Sequence, residues 1–460
     1  MSHLHLLNWG MGVESTAILV RWLREPESRP FSDCRQLIVV CAQTGDEVQE
    51  TKYLAEHYLF PLLRQHNVRL VQLAKRSASK RDGYVILSDT SQPDVLHIEG
   101  CTKLSDHWLL NGTSQRLSRP HICAQRWKGE VLEQWAIDTI YSPQLLLTCL
   151  GWQSLMIFKA LCLDAGEFWL VCQGIPFSRA WRFYVRLHQW TVQQLDRFVF
   201  GPYLGYSAEE TKRSSKSDGY GCLGREYRYP LQEWGWTRQD CLNYLQQGFG
   251  VIWVKSACKQ CPFQERSVAL ARYQLQPQDG IDTLLIERNA LAFNPRLHLF
   301  SFGTAYYLMV KNQNQAVLAG YRQALDRLEW AIYHVRRIYK RYSTANGKRR
   351  IDCDRWVQMV ATGDRPTMHR ALRQQAEQQQ ATVINEWGWR FYRHRKPKQP
   401  QCYPAIEEFY VAAPRFAQAK CRNWQRFEQE WNQLTGTSAT GNHARLIVDR
   451  ALSLLDQDST

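Results

Sequence analysis

The sequence predicts an α/β fold, a parallel twisted sheet with flanking helices, followed by a mainly α-helical, basic C-terminal domain. Three observations predict it. Strand and helix signals alternate as β-α-β-α-β from Leu4 to Leu73, the order that gives a parallel sheet with helices on its faces. Gln36 to Ala42 (QLIVVCA) is a continuous apolar run of strand length, as expected of a strand covered on both sides. After Phe263 good helix formers dominate, and Ala305 to Tyr342 carries aromatics at three- and four-residue spacing.

Taken in order, Leu4 to Trp9 is a short strand, and the turn Gly10-Met11-Gly12 leads into a helix over Ser15 to Leu23. Ser15 is placed to cap that helix, with Ala17, Ile18 and Trp22 at helical spacing behind it. Gln49 to Gln65 is helical in composition, and Asn67 to Leu73 (NVRLVQL) is a third strand. Ala74 to Arg119 is polar and Ser-rich and predicts little regular structure, whereas Lys128 to Ile137 predicts a helix. Gln144 to Leu150 and Arg197 to Leu204 are strand candidates flanking an aromatic-rich insertion at about 141–196, which includes RAWRFYVRLHQW. Pro230 opens a separate block holding Trp234 and Trp236. The domains expected from this reading are 1–265 and 266–460.

Among 460 residues, Lys and Arg number 58 against 43 Asp and Glu, a formal net charge of +15. That excess predicts a polyanionic partner, most simply nucleic acid, DNA or RNA. No apolar run approaches the roughly 18 residues of a membrane span, and the start lacks a secretory pattern. The expectation is a cytoplasmic protein with no membrane association, its 14 cysteines mostly free thiols and a few held by metal. The charge concentrates in HVRRIYKRYSTANGKRR (His334 to Arg350) and WRFYRHRKPK (Trp389 to Lys398). Trp387, Trp389, Phe391, Tyr392, Arg393 and Arg395 form the densest mixture of rings and cations, suited to base stacking with phosphate contact. The same composition fits a helical bundle with aromatics inside and Arg and Lys on a solvated face. A protein complex is a further partner expectation.

A strand, a glycine turn and a helix N-terminus make an anion site, because the first-turn amides and the helix dipole both favour negative charge. Gly10, Gly12, Ser15 and Thr16 fit it, although no Walker Gly-Lys-Ser/Thr follows and the spacing is not that of a Rossmann turn. The block AQTGDEVQETKYL (Ala42 to Leu54) follows the second strand, so its loop lies beside the first in a parallel sheet.

NWGMGVESTA followed by QTGDEVQET resembles the PP-loop superfamily, specifically its phosphoadenosine phosphosulfate (PAPS) reductase-like branch. Cys123-Ala-Gln-Arg-Trp-Lys128, Gly205-Tyr-Ser-Ala-Glu-Glu-Thr-Lys-Arg213, Tyr229-Pro-Leu-Gln-Glu-Trp-Gly-Trp-Thr-Arg238 and Ser256-Ala-Cys-Lys-Gln-Cys-Pro-Phe263 are similar to further blocks of that family, in the same order. The resemblance covers roughly residues 4 to 265. It implies a PP-loop (HUP-like) fold binding ATP or PAPS through Asn8, Gly10, Gly12, Val13, Ser15, Thr16, Thr44 and Gly45, with magnesium. It implies catalytic roles for Glu14, Asp46, Glu47, Lys128 and Arg213, with Lys128 and Arg213 neutralising phosphate. A substrate oxygen would attack the α-phosphate, pyrophosphate would leave into the glycine loop, and the adenylated group would accept sulfur or another nucleophile. The chain departs from the family at Met11, where glycine is usual, at Glu14, where Asp is frequent, and at Gln43, where Asp is usual. Asp46 and Glu47 would supply acids or cap the following helix; both roles fit.

Cys258-Lys-Gln-Cys261 has the spacing with which two thiolates hold one metal or cluster. Cys123 is the third candidate, and Cys222 and Cys241 compete for the fourth place. The resemblance implies a [4Fe-4S] cluster; zinc and a metal-free thiol pair are the competing readings. The Glu-Cys-Gly-x-His motif of true PAPS reductases is missing, and Cys402 and Cys421 stand in the unrelated contexts QPQCYP and QAKCRN. Three functions follow as expectations. The first is a PP-loop enzyme of adenylation or sulfur-transfer type acting on or beside nucleic acid. The second is a PAPS or adenylylsulfate reductase. The third is a non-catalytic nucleotide-binding accessory factor of a defence or mobile-element system, such as a CRISPR-associated reductase-like protein.

Overall fold

The computed structural model describes residues 5–114, 123–141, 202–211, 214–215, 227–343, 349–395, 403–419 and 424–436. The chain divides into two compact units, Met1–Leu104 with Ile122–Cys258 and Ser105–His121 with Lys259–Thr460. The division after Cys258 falls a few residues before the boundary expected at 265.

The first unit is built on β1 (His5–Asn8), β2 (Leu37–Gln43), β3 (Arg69–Lys75), β4 (Tyr84–Thr90) and β5 (Pro202–Tyr203), in the order β4-β3-β2-β1-β5. β1 pairs in parallel with β2 and β5, and β2 with β3. All of β2 is buried, as its unbroken apolar run requires. Leu7, Val39 and Leu70 face a core shared with helices Val13–Arg24 and Arg238–Phe249. Leu6, Ile38, Val40 and Val71 face the opposite way, against Val131 and Trp135 of helix Glu130–Ala136. The alternation along each strand therefore gives two covered faces.

The helical expectation for Gln49 to Gln65 holds over its full length, as helix Gln49–Leu54, a π-helical turn Ala55–Leu59 and helix Phe60–Gln65; elsewhere the sequence reading is altered. The expected helix at 128–137 is a π-helical turn Ala124–Gly129, helix Glu130–Ala136 and a second π-helical turn Ile137–Tyr141. The polar stretch Ala74–Arg119 holds β4 and helix Leu104–Asn111. β4 (YVILSDT) is antiparallel to β3 at the sheet edge, and Arg69 grips Asp89 with two hydrogen bonds of 2.8 and 2.7 Å. β4 opens on four apolar, β-prone residues, Tyr84 to Leu87, a strand signal set inside a stretch that is polar on average. The insertion at 141–196 and the strand candidate Gln144 to Leu150 fall, Tyr141 apart, outside the described residues.

The second unit opens with helices Arg266–Leu275, Pro277–Phe293, Ala305–Lys311 and Gln315–Arg327, in agreement with the helical expectation. Beyond them the expectation fails in part. β6 (Trp330–Ser343), β7 (Arg349–Gly363), β8 (Ile384–Asn385), β9 (Trp389–Arg395) and β10 (Ala405–Pro414) form an antiparallel sheet in the order β7-β6-β10-β9-β8. Helix Arg365–Gln378 lies between β7 and β8 in sequence. In β6, Trp330 and Ile332 enter one core, and Ala331, Tyr333 and Val335 enter the other. That two-residue period is a strand period, and the aromatic spacing that suggested a helix is incidental to it.

Candidate nucleotide site at the carboxyl ends of β1 and β2

The chain runs from β1 to β2 to β3 in one direction across the sheet and later places β5 on the opposite side of β1. The strand order therefore reverses between β1 and β5, and the crevice at the carboxyl ends of those strands is where open α/β sheets bind ligands. The glycine loop lies there. Trp9 Nε1 donates to Thr16 Oγ1 at 2.9 Å, Thr16 Oγ1 donates to the Gly12 carbonyl at 2.7 Å, and the Gly10 amide donates to Ser15 Oγ at 3.1 Å. The hydroxyls of Ser15 and Thr16 thus brace the loop. Ser15 does not cap the helix: Gly12 is the N-cap and provides no side-chain acceptor, which leaves the orphan amides of the first turn to another partner.

Met11 stands at φ +61° with its side chain fully buried. Gln43 Nε2 donates to its sulfur at 3.5 Å, and Trp253 Nε1 donates to its carbonyl at 3.5 Å. A left-handed backbone favours glycine; this chain holds a methionine in that conformation by packing its side chain in the core.

Segments distant in sequence close around the loop. A Cβ at Gly205, just past β5, would lie 2.7 Å from the Ser15 amide nitrogen, so only glycine lets that turn approach the first helical turn. Ser256 Oγ donates to the Gly10 carbonyl at 2.8 Å. Thr44 Oγ1 and Cys258 Sγ are hydrogen-bonded at 3.2 Å, and Glu47 and Cys258 form a backbone bridge. Gly45 takes φ +82°, and a Cβ there would meet Lys103 Cγ at 2.9 Å. Gly10, Gly12, Thr44, Gly45, Gly205 and Ser256–Cys258 therefore come together at the ends of β1 and β2 within the first unit.

The charged residues are paired. Lys128 Nζ donates to Glu47 Oε1 at 2.6 Å, and the Glu47 side chain is fully buried. Burial opposes the Lys128 ammonium charge, but Glu47, with smaller contributions from Cys258 and Cys41, holds its pKa above the ordinary value. Glu14 is paired with Arg238. Asp46 is buried, with its amide directed to Thr44 Oγ1 at 3.4 Å. Neither Asp46 nor Glu47 caps the next helix, whose N-cap is Val48 with no side-chain bond; the capping role is corrected. Three buried acceptors at these strand ends have no hydrogen-bond partner: Asn8 Oδ1, Gln43 Oε1 and Glu47 Oε2. Arg238, Trp253 and Ser256 take part in this arrangement although sequence reading assigned them no role. Arg238 and Ser256 stand at the ends of two of the resembling blocks, which was the available signal.

The cysteines are less gathered. Cys258 lies at the Thr44 loop, Cys261 in the second unit, and Cys123 immediately before the π-helical turn that carries Lys128. Cys241 packs in the core of the first unit, where burial pushes its thiol up to about 12. Cys222 and Arg213 lie outside the described residues. Among the described residues no three His, Cys, Asp or Glu side chains assemble as a metal set. Among these residues, too, no helix is long and apolar enough to cross a membrane.

The second cationic run is placed differently from its stacking expectation. Phe391 and Arg390 are buried in the second unit. Trp389 stacks on His369 with ring centroids 4.5 Å apart, Tyr392 packs on Phe409 at 5.4 Å, and Arg393 approaches Glu408 at 3.7 Å. Phe391 is fully buried, so the stacking role fails for it, whereas Trp389 is partly exposed and carries His369 on its ring. Lys396 and Lys398 lie outside the described residues. In the first run, Arg341, Tyr342, Arg349 and Arg350 are exposed at the far end of the β6–β7 ribbon.

Comparison with known proteins finds no matching family model, no similar curated protein and no matching solved structure.

Proposed function

We propose that the first unit binds an adenine nucleotide, ATP or PAPS, in the manner of a PP-loop PAPS reductase-like protein, and that the chain acts on or beside nucleic acid by adenylation or sulfur-transfer chemistry. The observation that supports this reading is the convergence of Gly10, Gly12, Ser15, Thr44, Gly205 and Ser256 around an uncapped helix N-terminus at the strand-order reversal. The nearby acids suit an anionic ligand, since Glu14 and Glu47 each have a basic partner. The unpartnered acceptors of Asn8, Gln43 and Glu47 complement N–H or O–H donors, which a nucleoside has and a phosphate lacks.

The decisive variant is Gly10→Val. Gly10 is exposed, and a Cβ there meets nothing in the protein closer than Ser15 Oγ at 3.8 Å. Gly12 is a poorer choice, because a Cβ would already lie 3.3 Å from Ser256 Oγ. Gly10→Val is expected to leave thermal unfolding unchanged and to weaken ATP binding at least roughly a hundredfold, the order of losing two charge-assisted hydrogen bonds. Unaltered ATP affinity in the folded variant would refute the site.

One observation favours a second reading. Lys128 and Glu14, two residues assigned catalytic roles from sequence, are engaged in ion pairs, as suits a non-catalytic nucleotide-binding accessory factor. ATP binding without pyrophosphate release in the presence of DNA or RNA selects that reading.

The nucleic-acid contact is assigned to the β6–β7 ribbon, whose end exposes Arg341, Arg349 and Arg350 on two strands, a shape that fits a DNA major groove; β9 exposes Arg393 and Arg395 as well, but its Phe391 is buried. Replacing Arg341, Arg349 and Arg350 by Gln is expected to flatten the dependence of log K on log salt by roughly 0.9 for each duplex-DNA phosphate that the variant leaves unneutralised. A slope identical to that of the wild type in a filter-binding or anisotropy titration removes the ribbon from the interface.

A further inference from the structure

The β6–β7 ribbon has two unlike faces, and its register shows which charges belong to each. Residues directly opposite in an antiparallel pair point to the same side, and successive residues alternate. On one face Arg341 stands opposite Ile351 and Ser343 opposite Arg349, continuing the row of Tyr339 with Cys353 and Arg337 with Arg355. The other face carries Lys340 opposite Asp352 and Tyr342 opposite Arg350, continuing Ile338 with Asp354 and Arg336 with Trp356. Both acids of the ribbon, Asp352 and Asp354, therefore fall on the second face.

That second face is also covered by a helix, Trp424–Thr435. Its Phe427 and Trp431 pack with Ile338 and Ile406, and Trp356 lies against them. Lys340 Nζ donates to Asp354 Oδ2 at 2.7 Å and to Glu430 Oε2 at 2.6 Å. Arg336 donates from Nε to Glu408 Oε1 at 3.2 Å and from Nη1 to Glu428 Oε1 at 3.1 Å. Lys340 and Arg336 are thus engaged within the protein, and Arg350 shares its face with Asp352, two residues along the same strand.

The first face ends differently. Arg341 and Arg349 are exposed, and Ile351 keeps 56% of its surface open. Ile351 is flanked by Arg341 across the ribbon and by Arg349 along its own strand, spacings of roughly 5 and 7 Å. Two guanidinium groups and one branched apolar side chain therefore form a single small patch, on the face that neither acid of the ribbon shares. The DNA major groove offers the matching chemistry: phosphates along its walls, and base edges on its floor that include the thymine methyl groups.

We propose that the ribbon enters the major groove of duplex DNA with this face, Arg341 and Arg349 neutralising phosphates and Ile351 lying against the base edges. This rests on the assignment of the nucleic-acid contact to the ribbon, and it adds the face and the class of nucleic acid. The major groove of A-form RNA is too deep and narrow to be read this way, so the partner is duplex DNA and the helix-covered face points away from it.

The test is an anisotropy titration of the full chain with a duplex DNA in salt of about 0.15 M, where a Debye length of roughly 8 Å limits the reach of a charge on the far face. Ile351→Glu and Tyr342→Glu add the same charge at exposed neighbouring positions on opposite faces. Ile351→Glu is expected to weaken binding roughly tenfold, the order of one charge-assisted contact, and Tyr342→Glu to leave it close to the wild type. The double variant Arg341→Gln with Arg349→Gln is expected to flatten the salt slope by roughly 1.8, and Arg350→Gln to leave it unchanged. A duplex RNA of the same sequence is expected to compete poorly. All five side chains are exposed, so thermal unfolding should match the wild type in every variant. Equal losses from Ile351→Glu and Tyr342→Glu, or a slope carried by Arg350, would overturn the face assignment while leaving the ribbon as the contact. Equal competition by the RNA duplex would overturn the major-groove placement. If no variant alters DNA binding, both this proposal and the ribbon assignment fail.

Discussion

Glu47→Ala should cost the first unit about 1–3 kcal/mol, the penalty for a polar group left without its partner, short of the full cost of breaking a buried ion pair because the Lys128 side chain stays 27% exposed. The Glu47 side chain is fully buried, and its Oε1 holds Lys128 Nζ at 2.6 Å. Without that carboxylate the Lys128 ammonium loses its main counter-charge in a setting where burial already opposes ionisation. The loss extends beyond one bond, because Glu47 also pairs through its backbone with Cys258, whose sulfur bonds Thr44. The double variant Glu47→Gln with Lys128→Met replaces the charged pair by neutral groups of similar size and should recover most of the loss, since neutral replacement of a buried pair is often well tolerated. Denaturant unfolding measures both. A cost below about 1 kcal/mol for Glu47→Ala, the value of an exposed ion pair, would mean that Lys128 is satisfied by solvent. The comparison also bears on function: a double variant that is stable yet no longer binds ATP gives the pair a role in binding beyond its structural one.

Phe391→Ala should destabilise the second unit by about 3–5 kcal/mol, the range for truncating a buried aromatic. Phe391 is fully buried and stacked on Tyr410 of β10, with ring centroids 5.1 Å apart, inside the core that contains Trp330, Leu372 and Ala412. From sequence alone the same substitution would be read as removing a base-stacking ring. The two readings differ in what moves. A core role lowers the unfolding midpoint in the absence of nucleic acid, whereas a stacking role leaves it unchanged and weakens single-strand binding. An unfolding midpoint within one degree of the wild type would contradict the packing described here.

The parts of the fold legible in the sequence are those whose signal is local. The fully buried β2 announced itself through its unbroken apolar run, and the first helix through its spacing. The short apolar run of β4, Tyr84 to Leu87, is masked by the polar, Ser-rich stretch around it, and the Ser15 hydroxyl, able to serve either the helix or the preceding loop, serves the loop. In the candidate site the glycine loop and the Thr44-Gly45 loop were visible as separate segments. The partners of their charged residues were not, since nothing local connects Glu14 to Arg238 or Glu47 to Lys128.

The sequence by itself determined the order of β1, β2 and β3, the glycine turn between the first strand and helix, the helices from Arg266 to Arg327 and the excess of positive charge. Each of these follows from neighbours along the chain, where hydrophobic period and turn chemistry act. The tertiary structure alone decided that β5 lies beside β1, so that Gly205 closes on Ser15, and that the Ser256–Cys258 segment reaches both loops. It also decided that Trp330–Ser343 and Trp389–Arg395 are strands. Those segments carry aromatics and cations compatible with either a helix or a strand. Pairing on both sides of the buried strand Ala405–Pro414 settles the choice, because the hydrogen bonds and side-chain burial that stabilise a strand come from residues far away in the chain.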